Sequence, residues 1–242
     1  MHCFYVERPV DGVAVLPAEE AKHAARVLRL QPGAEICAMD GAGGRFRAEI
    51  AEISGDTVRA RIVEPLDSHE PPVRITVYEG VPKADKLDFI AQKLTELGAS
   101  ALIPVKMERC VVKLDDKDGK MRRERLEKIA REAAKQCNRA LPPAVSLPLT
   151  WKQALSEMAK HDLLLIPWED ARGTRLKDVF AERPGAKDIG IVIGPEGGMS
   201  AAEVDAMLTL GARTVTLGPR ILRTETAAVV SAALAMQLWG DM

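Results

Sequence analysis

DIGIVIGPEGGMSAAEV, residues 188–204, carries the reading of the fold. Its first part, Asp188 to Gly194, is almost wholly apolar. It lacks the polar alternation of a half-exposed strand, as expected of a strand covered on both faces. From Ser200 onward the stretch reads as a helix, because Ser200 and Glu203 have the spacing of a capping box. Gly194-Pro195-Glu196-Gly197-Gly198 connects the two. Glycines there admit close approach of another group, and proline stiffens the loop. A buried strand, a rigid loop and a capped helix make one unit of an α/β fold.

The alternation continues on both sides. VRITVYEGV (73–81) reads as a strand. KADKLDFIAQKLTELG (83–98) reads as an amphipathic helix, with Leu87, Ile90, Leu94 and Leu97 on one face and Gly98 as its stop. SALIPV (100–105) is a strand, RRERLEKIAREAAKQCNRA (122–140) a helix with Leu126, Ile129, Ala133 and Cys137 inward, and WKQALSEMA (151–159) another helix. DLLLIPWE (162–169) and RTVTLG (213–218) are further short apolar strands, and helices follow from about Ala201 and Thr224. Strands alternating with helices predict a mainly parallel sheet with helices on both faces.

Residues 1–72 follow another pattern. EICAMDGAGGRFRAEIAEISGDTVRARIVEP (35–65) alternates short β-type runs with turns at Asp40–Gly44 and Ser54-Gly55-Asp56. The glycine cluster resembles a phosphate loop only superficially. No helix follows it and no GxxxxGK is present, so it reads as a hairpin loop. PAEEAKHAARVLRLQPG (17–33) reads as a short helix with Ala21, Ala24, Ala25 and Leu28 on its apolar face and Gly33 as its stop. DSHEPP (67–72) reads as a linker. The expectation is therefore two domains: a small β-barrel-like one over 1–72 and an α/β one over 73–242. There is no internal repeat.

Hydrophobic residues make up 47% of the chain and charged residues 29%, which suits an ordinary soluble globular protein. The formal net charge is −1, so a nucleic-acid site would have to be a local patch. Cys3, Cys37, Cys110 and Cys137 form no CxxC pair, and the four histidines are scattered. These features predict no metal site and reduced thiols in a cytoplasmic protein. No charged-then-apolar leader and no membrane-length apolar run are visible.

Ligands of parallel α/β sheets bind beyond the C-terminal ends of the strands. Three such ends carry unusual loops: Ile166-Pro167-Trp168-Glu169, Gly194 to Gly198, and Gly218-Pro219-Arg220. Taken singly, each has the composition of an ordinary turn. Together they suit a flat heterocycle held by backbone hydrogen bonds. The last loop leads into LGPRILRTETAAVVSAAL (217–234), an apolar helix whose entry holds Arg223, Thr224, Glu225 and Thr226. A core helix needs one cap, which Thr224 would supply, with Glu225 favouring the positive helix end. Arg223 is not explained that way, since a cation is disfavoured there.

IGPEGGMSAAEV and LGPRILRTETAAVVSAAL closely resemble the signature motifs of the RsmE family, which methylates N3 of a uridine in 16S ribosomal RNA. HAARVLRLQPG, KADKLDFIAQKLTELGASALIPV with the following ERC, and RLEKIAREAAKQCNRALPP resemble its other blocks, so the likeness spans nearly the whole chain. His2-Cys3, where relatives often carry arginine, and Met199, where phenylalanine is usual, are small departures. The resemblance implies a SPOUT-class domain with a C-terminal trefoil knot, a PUA-like N-terminal RNA-binding domain, and a homodimer with the site at its interface. It implies S-adenosylmethionine as cofactor, bent against Ile166, Pro167, Gly194, Glu196, Gly197, Leu217, Gly218, Ile221 and Leu222. Arg223 would bind the substrate base or its phosphate, because a fixed cation stabilises the oxygens of a uridine that loses its N3 proton. Glu225 would orient it or accept a proton.

The RNA partner, 16S RNA alone or the small ribosomal subunit, needs basic residues elsewhere. Residues 120–139 hold eight Lys or Arg against three Glu, a local +5. Such a face is often only solvated, and pairs at i, i+4 account for part of it. The candidates for phosphate contact are Arg26, Arg29, Lys83, Arg109 and Arg139, with Lys86 beside them. Two other readings stay open: a ribose 2′-O-methyltransferase of the same class, and a non-catalytic RNA-binding or assembly protein.

Overall fold

The computed structural model describes residues 1–113 and 115–242. They form two compact units, one of residues 1–70 with 132–142 and one of residues 71–131 with 143–242. Residues 132–142 thus group with the N-terminal unit, a feature no linear division at residue 72 contains. Within that unit Lys135 Nζ reaches Glu20 Oε1 at 3.0 Å, and the Ala140 N–H donates to the Ser68 carbonyl at 3.1 Å.

The N-terminal unit is a five-stranded sheet of β1 (His2–Tyr5), β2 (Val13–Leu16), β3 (Glu35–Met39), β4 (Arg45–Ser54) and β5 (Thr57–Pro65), in the order β1-β3-β4-β5-β2. Only the β1–β3 pairing is parallel. The Glu7 N–H donates to the Val15 carbonyl at 2.9 Å and so links the two outer strands. Asp40 Oδ1 accepts from the N–H groups of Ala42 and Gly44, both at 2.8 Å, which fixes the β3–β4 hairpin loop. Phe4, Ile36, Ile50 and Val58 fill the interior. The expected helix is irregular: α1 (Ala18–Lys22) runs on as a wider π-helical turn, His23–Val27. Ala21 and Ala24 of it are buried, while Ala25 and Leu28 are half-buried.

The other unit contains β6 (Arg74–Gly80), α2 (Lys86–Glu96), β7 (Ala101–Lys106), α3 (Asp116–Cys137), β8 (Ala144–Val145), β9 (Leu149–Thr150), α4 (Trp151–Met158), β10 (Leu163–Pro167), α5 (Leu176–Glu182), β11 (Asp188–Ile193), α6 (Ala201–Leu208), β12 (Arg213–Val215) and α7 (Thr224–Trp239). The sheet order is β12-β10-β11-β6-β7-β8, with β9 also on β7, and every pairing is parallel. Side chains alternate between two apolar layers. Ile75, Val77, Ile189 and Ile191 pack with Leu87, Ile90 and Leu94 of α2, Val179 of α5 and Ala228 and Ala232 of α7. Tyr78 and Val192 pack on the opposite face with Ala154 and Met158 of α4 and Val204 and Met207 of α6. Cover on both faces explains why these strands are mostly apolar.

Three details depart from the sequence reading. The helix expected over 122–140 begins at Asp116, where the Asp115 carboxylate accepts from the Asp118 N–H at 2.8 Å, and ends at Cys137. The short α5 has too few residues to show a period. Thr224 is not the cap of α7: Arg223 holds the cap position, with no side-chain capping bond, and Thr224 is the first helical residue. No described helix is long and apolar enough to cross a membrane, and no group of metal-ligating side chains occurs among the described residues.

Candidate active site

In the sheet β10 lies between β12 and β11, so the loops leaving these three strands stand side by side. They enclose an open cleft of about 980 Å3. Main-chain bonds tie the loops after β10 and β12 together. The Trp168 N–H donates to the Val215 carbonyl at 3.1 Å, and the Thr216 N–H donates to the Thr174 carbonyl at 2.8 Å.

The loop after β11 is anchored at its far end by Ser200. Its N–H donates to Glu203 Oε2 at 2.9 Å, and Ser200 Oγ accepts from the Glu203 N–H at 3.3 Å, completing the expected capping box. Glu203 Oε1 also accepts from the Glu108 N–H at 2.8 Å, which holds the loop after β7 against α6. Arg109 of that loop lies over Gly197: a Cβ on Gly197 would stand 3.0 Å from Arg109 Cβ and 3.2 Å from its carbonyl oxygen. A side chain at this position would make Arg109 give way by a few tenths of an ångström. Gly218, in the loop after β12, has φ +112°, a conformation an L side chain rarely adopts.

One cation joins the loop after β11 and the first turn of α7 to α2. Lys86 Nζ lies 3.0 Å from Glu196 Oε1 and 3.1 Å from Glu225 Oε2. The Lys83 N–H also donates to Glu196 Oε1, at 3.0 Å. Against the cost of burial, Lys86 and these N–H donors hold the Glu196 carboxyl below the usual carboxylate range. Glu196, against the opposing pull of burial, and Glu225 raise the Lys86 ammonium.

Of the residues singled out in the sequence for the cofactor, Pro167, Gly194, Glu196, Leu217, Gly218, Ile221 and Leu222 line the cleft. Ile166 is buried in the apolar layer beneath it, and Gly197 lies behind the wall, against Arg109. Arg223 lines the cleft, whereas Glu225 is engaged with Lys86 and is not part of the lining. Among the basic candidates, Arg29 and Lys83 are exposed. Arg26 is exposed too, but pairs with Asp56 at 2.6 Å. Arg109 Nη1 donates to the Gly197 carbonyl at 3.2 Å. Arg139 is 4% exposed and its guanidinium pairs with Glu70 at 2.7 Å within the N-terminal unit.

The sequence reading missed Glu79. It is a carboxyl, completely buried, at the end of β6, where its Oε1 lies 2.5 Å from Thr224 Oγ1. A charged residue in an otherwise apolar strand was the available signal.

A cleft of this size is at the upper end of the range for small-molecule sites. Its lining mixes apolar side chains (Met199, Leu217, Leu222) with acidic residues, Glu169, Asp170 and Glu196, and basic ones, Lys86 and Arg223 among them. That mixed set fits a flat ring with a tail that carries both cationic groups and a carboxylate, as S-adenosylmethionine does.

Comparison with known proteins agrees with this geometry. A family model described as an RNA methyltransferase domain matches residues 69–236, and one described as an RNA methyltransferase PUA domain matches residues 16–63. The chain is 38% identical over 237 residues to ribosomal RNA small subunit methyltransferase E of Bacillus subtilis, covering 94% of this chain and 93% of that protein. It is 31% identical to the same-named protein of Aquifex aeolicus, over 98% of this chain and 99% of the relative. Among solved structures it is similar to a ribosomal RNA small subunit methyltransferase E from Neisseria gonorrhoeae bound to S-adenosylmethionine, with a TM-score of 0.88, 31% identity and coverage of 100% and 99%.

Proposed function

The chain belongs to the RsmE family of ribosomal RNA methyltransferases, and from that premise we propose that it transfers a methyl group from S-adenosylmethionine to N3 of one uridine in 16S ribosomal RNA. The observation that carries this reading is the cleft formed by the loops after β10, β11 and β12, with Arg223 on its wall.

When bound, S-adenosylmethionine supplies an electrophilic methyl group on its sulfonium. The chain's part is to hold that group and to prepare the nucleophile. Loop main chain around Gly194, Leu217 and Gly218 holds the adenine, and Leu217 and Leu222 cover its faces. Arg223 faces the base: its guanidinium stabilises the negative charge that spreads onto the uracil oxygens as N3 loses its proton. Glu225, held by Lys86, fixes the first turn of α7 so that Arg223 is presented to the cleft. Orientation of this kind can supply on the order of 7–11 kcal/mol of the barrier.

The homodimer and the knot belong to the same reading. Ile221 is 87% exposed at the rim of the cleft, and Leu234 is 36% exposed on α7. An apolar residue so exposed beside a site is what a second copy would cover. The main-chain bonds joining the loops after β10 and β12 support a C-terminal segment threaded there as in the family's knot. RNA is held by exposed basic residues, Arg29 and Lys83 among them, and by the charged face of α3.

Calorimetric titration of S-adenosylmethionine into the wild type and Gly197→Val tests the site. The wild type should bind, and the variant should lose affinity by at least about tenfold, because the added side chain meets Arg109 at 3.0 Å. Absence of binding by a folded wild type would favour the non-catalytic RNA-binding reading.

A further inference from the structure

Glu79 is completely buried in the strand next to β11, and it does not line the cleft. Its Oε1 lies 2.5 Å from Thr224 Oγ1, and the same hydroxyl oxygen lies 2.7 Å from the Gly194 carbonyl oxygen. A threonine hydroxyl has one proton to donate. The Gly194 carbonyl can only accept, so the hydroxyl proton belongs to that contact. The other short contact then requires a proton from the carboxyl. Counting protons therefore makes Glu79 a neutral acid that donates to Thr224, which in turn donates to Gly194.

The surroundings agree. The charged groups that face Glu79 are Lys86 of α2, Glu196 of the loop after β11 and Glu225 of α7. Lys86 already pairs with both of those carboxylates. A third anion would be buried with no counter-charge of its own, and Glu79 Oε2 has no hydrogen-bond partner among the described residues to offset it. Burial, joined by Glu196 and Glu225, pushes the Glu79 carboxyl well up, and Thr224 and Lys86 do not bring it back.

We propose that Glu79 is a positioning residue of the methyl-transfer site, which in its neutral form clamps the Gly194 loop to the first turn of α7 through Thr224. The proposal rests on the cofactor reading above. Gly194 and Thr224 both line the cleft, so the clamp sets the distance between two walls of the site. Ionisation would leave one hydroxyl proton for two acceptors: Thr224 would turn it to the Glu79 carboxylate and release the Gly194 carbonyl, and a third negative charge would stand beside Glu196. Because the folded state raises this pKa, the clamp is intact below the folded value and is lost as pH rises through it. Lys86 is itself raised by its contacts with Glu196 and Glu225, against the opposing pull of burial.

Infrared difference spectroscopy of wild type against Glu79→Gln reads the proton directly. A protonated-carboxyl carbonyl band at neutral pH, present in the wild type and absent from the variant, is expected. Its absence would overturn the proposal. Calorimetry of S-adenosylmethionine binding reads the clamp. Glu79→Gln can still donate to Thr224 and should bind as the wild type does at neutral pH, but without the wild type's loss of affinity at alkaline pH. Thr224→Val should bind about tenfold more weakly, and Thr224→Ser should restore binding. A Glu79→Gln variant as weak as Thr224→Val, or one with the wild type's pH profile, would refute the clamp. If the wild type bound no S-adenosylmethionine, the cofactor reading would fall, while the infrared band would still decide the state of Glu79.

Discussion

Arg223 sits where helix physics does not want it. It occupies the cap position of α7 with no side-chain capping bond, and its charge lies at the positive end of the helix dipole. That placement costs on the order of 0.3–1 kcal/mol. Arg223→Ser would supply the missing cap and remove the repulsion. The variant should therefore melt at the same temperature or higher, with a gain of up to about 1 kcal/mol, while kcat falls by roughly 100-fold. Thermal melts and single-turnover methylation measure the two halves. A variant with unchanged kcat would remove Arg223 from the chemistry. Arg223 was legible in the sequence because it broke a local rule of helix capping. Glu79 and the pairing of Arg139 were not, because their partners Thr224 and Glu70 lie 145 and 69 residues away in the chain.

At the scale of elements, the charge on α3 divides into spent and available parts. Arg123 pairs with Glu127, Arg125 with Asp88, and Lys135 with Glu20 and Glu132. Among the described residues Lys120, Arg122 and Lys128 have no ion-pair partner. Reversing Lys120 and Lys128 to glutamate should weaken RNA binding and lower the slope of log affinity against log salt by about one per lost phosphate contact. Arg139→Ala should instead leave that slope unchanged and cost about 1–3 kcal/mol of stability, since it strips the buried guanidinium from Glu70. Filter binding over a salt series, with denaturant melts, separates the two. Equal slopes for wild type and the Lys120/Lys128 variant would exclude α3 from the RNA face. Five strands of the parallel sheet were readable because double-sided burial leaves a short apolar run, whereas β8 and β9, two residues each, are too short to leave one. Helix limits were less so: α3 starts at Asp116, six residues before the expected start at 122, because an aspartate cap rather than periodicity sets the start.

At the scale of the molecule, a net charge of −1 means that RNA must be captured by local patches and not by the field of the whole protein. The homodimer belongs at this scale. Light scattering should give twice the 26.3 kDa of one chain, and Leu234→Asp should return the mass to 26.3 kDa. A wild type that stays monomeric while binding S-adenosylmethionine would place the whole site on one chain. The two-part architecture was visible as a change of pattern near residue 72. That residues 132–142 group with the N-terminal unit was not, because a helix gives no sign in its sequence of where its contacts change hands.

The most direct measurement is the position of the methyl group. The protein would be incubated with S-adenosylmethionine and small ribosomal subunits from a strain lacking it, and the 16S RNA digested and mapped by mass spectrometry. A single N3-methyluridine, strongly reduced with Arg223→Ser, is the predicted result. A methyl group on a ribose 2′-oxygen, or none at all from a protein that binds the cofactor, would contradict the account.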